Sequence, residues 1–140
     1  MLSIENLAVD HGKLRAIWDL SLRVRKGTRV GLLGANGAGK STTLGAILGI
    51  YPPAAGDIRF DGHSILGNSP SRNVEGGIAL VPEGRRLFGE MTVRENLEMG
   101  AYTRPARARV AENIDHAFAM FPILKQKSND MAGTLSGGQQ

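Results

Sequence analysis

The chain has 140 residues, a net charge of +4, 41% hydrophobic and 5% aromatic residues, and no cysteine. That length supports one cored domain, and the lack of thiols excludes disulfides and Cys-based zinc sites. The cations are scattered, densest at Arg23, Arg25, Lys26, Arg29 and at Arg104, Arg107, Arg109, and aromatics are few, which favours a solvated, partner-facing surface and no nucleic acid.

In chain order, the start MLSIENLAVD lacks the basic flank and apolar run of a signal peptide, so a cytoplasmic chain is expected. Leu20, Leu22 and Val24 alternate with Ser21, Arg23 and Arg25, which predicts a strand with one wet face. Lys26-Gly27 is a turn. Val30-Gly31-Leu32-Leu33 is continuously apolar, as in a strand covered on both faces. From Lys40 the spacing of Leu44, Ile47, Leu48 and Tyr51 predicts a helix packed on that stripe and stopped by Pro52-Pro53. A short strand over Asp57–Phe60 precedes a turn at Asp61-Gly62, and Ser69–Glu75 reads as a short helix. Ile78–Val81 is a second buried-strand pattern, ended by Pro82. Thr92-x-x-Glu95 is a capping box opening a helix with Val93, Leu97, Gly100 and Ala101 on one face. After Pro105, Val110, Ile114, Ala117, Phe118 and Phe121 form another apolar stripe. No apolar stretch reaches the ~20 residues that span a bilayer. The pattern favours an α/β core with an added antiparallel edge.

The chemistry concentrates where the 19 glycines cluster. Gly34-Ala35-Asn36-Gly37-Ala38-Gly39-Lys40-Ser41 fits the phosphate-loop pattern G-x-x-x-x-G-K-[ST]. Glycines let successive backbone N–H groups converge on an anion, and a helix start adds free donors and a positive dipole end. Lys40 is the candidate catalytic residue, reaching the β- and γ-phosphates of a triphosphate. Ser41 offers a hydroxyl to Mg²⁺, and Thr42 supports the α-phosphate side. The cradle specifies a triphosphate, but neither its base nor the work done with it, since kinases, GTPases, helicases and transport ATPases all share it.

Leu135-Ser136-Gly137-Gly138-Gln139-Gln140 is, read alone, either a second anion nest or an ordinary loop. Paired with the cradle upstream, it resembles the signature sequence of the ATP-binding cassette family. The resemblance implies a P-loop NTPase of the ABC type: a mixed sheet with an antiparallel N-terminal β subdomain and a helical subdomain. It divides the chain at about residues 1–82 (β subdomain and P-loop core) and about 83–140 (Q-loop and helical subdomain). It also implies head-to-tail dimers, in which Ser136, Gly137, Gly138 and Gln139 close over the ATP of a second cassette. Permease subunits in the membrane follow the motion, and a solute-binding protein acts indirectly. The expected place is the inner face of the plasma membrane.

Glu83 stands where the family's Q-loop glutamine senses Mg²⁺ and the γ-phosphate; it is a candidate metal-side ligand or an incidental surface acid. His11, before Gly12-Lys13, aligns with the family's adenine-stacking aromatic; it is that residue or a plain loop histidine. The strings Val81–Phe88 and Met91–Leu97 resemble the ATPase subunits of branched-chain amino acid importers. A urea, amide or lipid-related cassette, an exporter, a soluble cassette working on ribosomes or DNA, and a non-hydrolysing nucleotide-binding fragment are the alternatives.

In the family, the Walker B strand with its aspartate and catalytic glutamate, and the switch histidine, follow the signature. Ile78–Val81 before Glu83 imitates Walker B, but Pro82 holds the aspartate position; His11, His63 and His116 precede Ser136. The resemblance therefore leads us to expect a truncated cassette lacking roughly its last two-fifths, and little hydrolysis from these 140 residues alone.

Overall fold

A computed structural model describes residues 1–140, which divide into two compact units, Met1–Leu80 and Val81–Gln140. In the first, β1 (Leu2–His11) and β2 (Leu14–Val24) form a hairpin, β3 (Pro53–Phe60) pairs with the other edge of β1, and β4 (His63–Ser64) completes an antiparallel sheet of order β2-β1-β3-β4. The alternation seen in β2 meets apolar partners across the ladder: Leu20 opposite Leu7, Leu22 opposite Ile4, and Val24 opposite Leu2. β1 was not foreseen, because a bulge between Ile4 and Leu7, with Asn6 at φ 49°, breaks its period of two. Ile4, Leu7, Ala8 and Val9 are all buried as a result.

α1 (Lys40–Leu48) lies on this sheet and places Ala46 among Ile4, Leu7, Val9, Ile17 and Ile58. The expected Leu44-Ile47-Leu48-Tyr51 stripe is not the buried face. Thr43, Gly45 and Ala46 are buried, Leu44 is exposed, and Ile47, Leu48 and Tyr51 are half-buried. Small residues let the helix approach closely. At Gly45 a Cβ would lie 2.5 Å from the Tyr51 ring, so the missing side chain is the seat of that ring. The helix stops before Pro52-Pro53, at left-handed Gly49 (φ 89°), with Ile50 N–H donating to Gly45 O at 2.8 Å. Pro53 instead opens β3. The buried Asn73 of α2 (Pro70–Glu75) donates to Ile47 O (3.3 Å) and Leu48 O (3.0 Å), satisfying the last carbonyls of α1.

Two predicted strands are absent. Val30–Leu33 and Ile78–Val81 form no ladder, and Leu33 and Val81 are each 93% exposed. Apolar composition suits a strand for a doubly covered sheet but supplies no hydrogen-bonding neighbour. No strand of these residues pairs with either run.

In the second unit, α3 (Val93–Gly100), α4 (Arg104–Arg107), α5 (Val110–Met120) and α6 (Pro122–Gln126) are followed by a 3₁₀ turn at Ala132–Thr134. The capping box forms: Thr92 Oγ1 accepts from Glu95 N–H (3.2 Å), and Glu95 Oε2 accepts from Thr92 N–H (2.7 Å). Val93, Ala101, Ile114, Phe118, Ala132 and Leu135 are buried. Gly100 and Phe121, expected on the two stripes, are exposed; Phe121 terminates α5 at non-helical φ/ψ and caps α6, so it leaves the helical face. No helix is long and apolar enough to cross a membrane.

Candidate nucleotide site

The glycine-rich loop is fixed from both sides. Ala38 N–H donates to Ala35 O (3.1 Å), and Thr43 donates to Gly39 O through its backbone (2.8 Å) and its hydroxyl (2.9 Å). Gly39 itself has φ 87°, and a Cβ there would stand 3.3 Å from both Ala16 O and Ile17 Cγ1 of β2. Geometry and contact both call for glycine at the point where loop becomes helix. α1 has no side-chain N-cap and no acid in its first turn, so its leading N–H groups and dipole are left for an anion.

Lys40 curls back, its Nζ donating to Gly34 O (2.8 Å) and Ala35 O (2.7 Å), so the ammonium sits over the loop it would serve. Ser41 is exposed on the first helical turn. A cleft of about 260 Å³ opens beside the loop, lined by Ile17, Trp18, Leu33, Ala38, Lys40 and Thr43 among others. The donor set fits a nucleotide phosphate chain with Mg²⁺. No cluster of three or more acidic or imidazole ligands could cage a metal. A Ser/Thr hydroxyl is the Mg²⁺ ligand that this loop pattern supplies, with substrate oxygens and water among the others.

His11 comes to this site from the end of β1. Its Nε2 is 3.1 Å from Thr42 Oγ1, and its ring meets Tyr51 edge-on, with centroids 4.6 Å apart at 87°. Gly34 to Thr42 and His11 thus share the first unit. Tyr51 joins them unforeseen. Its place in an apolar spacing disguised it, and only the absent Cβ at Gly45, six residues earlier, hints at its position.

Glu83 and the signature belong to the second unit. Glu83 is exposed, and its carbonyl accepts from Arg86 Nε at 3.4 Å. Gly84, Arg85 and Arg86 follow with φ of 76°, 63° and 40°, an uncommon run of left-handed backbone for two residues that carry a Cβ. Buried Leu135 anchors the signature turn. Ser136 O accepts from Gln139 N–H (2.9 Å), and Gln139 Oε1 accepts from Ser136 N–H (3.1 Å), one half of a capping box. Arg85, read from sequence only as part of the Val81–Phe88 string, donates to Gln140 Oε1 at 3.3 Å. Its guanidinium occupies the space where a Cβ on Gly137 would be 2.5 Å away.

A phosphate loop opening a helix that packs its small residues on an antiparallel sheet, with a separate helical unit ending in a Ser-Gly-Gly turn, defines an ABC-type ATP-binding domain. The family described as ABC transporter matches residues 17–140, and the chain belongs to it. The high-affinity branched-chain amino acid transport ATP-binding protein BraG of Pseudomonas aeruginosa is 42% identical over all 140 residues, which cover 60% of its length. The SkfA peptide export ATP-binding protein SkfE of Bacillus subtilis is 33% identical, with 100% of this chain and 57% of that protein covered. A nucleotide-free ATP-binding cassette from an ABC transporter superposes with a TM-score of 0.82 at 30% identity, covering 99% of this chain and 60% of that one. The chain therefore spans about three-fifths of the length of these three relatives.

Proposed function

We propose that the chain is the ATP-binding part of a subunit that energises an importer, with branched-chain amino acids as the transported solute. The observation that carries the reading is whole-chain similarity to a branched-chain amino acid transport ATP-binding protein, at higher identity than to the peptide-export relative. ATP binds with its phosphates on Gly34–Thr42. Lys40 leaves the Gly34 and Ala35 carbonyls for the β- and γ-phosphates, a charge-assisted exchange. Ser41 provides one ligand to Mg²⁺. The ion, when bound, neutralises charge on the phosphate oxygens. His11, with Tyr51 behind it, faces the base.

Ser136–Gln139 serve the nucleotide of a second cassette in a head-to-tail dimer. Closure on ATP and reopening after hydrolysis drive permease subunits, with a solute-binding protein on the far side of the membrane. The working place is the cytoplasmic face of the plasma membrane. The exposed segment Glu83–Phe88 is the docking point for a permease loop. A photocrosslinker replacing Arg86 in the assembled transporter should label a cytoplasmic loop of the permease. Labelling of RNA or ribosomal proteins alone would move the chain to the soluble cassettes.

A further inference from the structure

We infer that His11 acts on the phosphate end of the nucleotide site, by orienting the hydroxyl of Thr42. The inference rests on reading residues 34–42 as the ATP cradle. A hydroxyl has one proton and two lone pairs. When Thr42 spends its proton on His11, it faces a phosphate oxygen with lone pairs only, which repel. A productive site therefore needs Nε2 to carry the hydrogen and donate across the 3.1 Å to Oγ1. Thr42 then has its own proton free for the phosphate. Donation into Oγ1 also polarises the hydroxyl and strengthens the bond it makes onward.

The ring is held for this task. Tyr51 meets it edge-on, and Tyr51 in turn lies in the space left by the missing Cβ of Gly45. Gly45, Tyr51, His11 and Thr42 thus form a closed circuit that leaves α1 at its middle and returns at its first turn. A ring tied by its nitrogen to the helix that carries the phosphate ligands is a positioning group as well as a base platform.

The test compares Mg²⁺-ATP with Mg²⁺-tripolyphosphate, which has the phosphate chain and no base, by calorimetry on the purified protein. His11→Phe keeps a flat ring and removes the donor; His11→Gln keeps a donor and removes the ring. The expected result for His11→Phe is a loss of roughly three- to tenfold for both ligands. His11→Gln should recover tripolyphosphate affinity but not ATP affinity. Thr42→Val should lose tripolyphosphate affinity at least as far as His11→Phe, and the double variant should be no worse than Thr42→Val. Tripolyphosphate binding unchanged in His11→Phe, or strictly additive losses in the double variant, would overturn the inference and leave His11 a base contact. Wild type that binds neither ligand would overturn the nucleotide-site reading itself, and the inference with it.

Discussion

Gly34–Ser41 and Leu135–Gln140 are both glycine-rich entries to a helical turn, but they are built to different tolerances. The first is clamped: Gly39 presses on β2, Thr43 ties its carbonyl down twice, and Ala46 anchors the helix in the core. The second hangs from one buried side chain, Leu135, with Ser136–Gly138 exposed and the two glutamines half-buried, and is held by its own backbone, Gln139, Gln140 and one arginine. A rigid cradle suits an anion that the chain holds by itself. A lightly held turn suits one that it meets only on closure with another subunit, where some adjustment is useful.

The largest effect expected concerns what the two turns do without further residues. A polypeptide of these 140 residues should release phosphate from ATP near the background rate, because Glu83 sits in an exposed loop after Pro82 and nothing else here suits an in-line base. Positioned general-base catalysis contributes ~10²–10⁴-fold. Steady turnover by this polypeptide, abolished by Lys40→Ala, would show that the water-activating carboxylate is among these residues.

Lys40→Ala should weaken Mg²⁺-ATP binding by about 1.5–3 kcal/mol, the range for charge-assisted hydrogen bonds. Ser136→Ala should leave that binding unchanged while reducing ATP-dependent dimerisation measured by light scattering. If both variants lost monomer binding equally, the division of labour between the turns would be wrong.

Smaller effects probe the scaffolds. Gly45→Ala gains up to about 1 kcal/mol of helix propensity but forces the Tyr51 ring aside, an overpacking cost of ~1–3 kcal/mol. A net loss in thermal unfolding is expected. Thr92→Ala should cost about 1 kcal/mol by removing the cap of α3. The hydrogen bonds from the Thr92 backbone and hydroxyl hold the Glu95 carboxyl below its usual range. A depressed carboxylate contributes stability that is complete above its ordinary unfolded value and is lost as pH falls through the lower folded value. Glu95→Gln, whose amide oxygen can still accept from Thr92 N–H, should therefore flatten the acid limb of the stability profile and lower the neutral region only by the charge-assisted part of that bond.

Much of this was legible in the residues. The cradle, the capping box, the turn at Asp61-Gly62 (φ 47° and 84°) and the alternation of β2 are written in local chemistry, and local chemistry decided them. What was not legible depends on neighbours distant in sequence. Val30–Leu33 and Ile78–Val81 read as strands because composition reports burial preference, whereas a strand exists only when another backbone lies beside it. α1 was oriented wrongly from its large residues, because the helix settles on its small ones. Arg85 gains its place from a missing Cβ at Gly137, and an absence so far along the chain has no periodicity to read; Tyr51 takes its place from nearby Gly45, but only because the chain has left the helix at Gly49 and turned back.

The amide of Asn73 gives α1 a mechanical character. The helix is nine residues long, about 13 Å. One end presents its N–H groups where phosphate is expected, and the other has its last carbonyls gripped from α2. A short rod held at both ends does not bend; it slides or it tilts. A slide or tilt imposed at the phosphate end therefore bears on the two hydrogen bonds from Asn73. The length of those two hydrogen bonds then becomes a gauge of what the loop is holding.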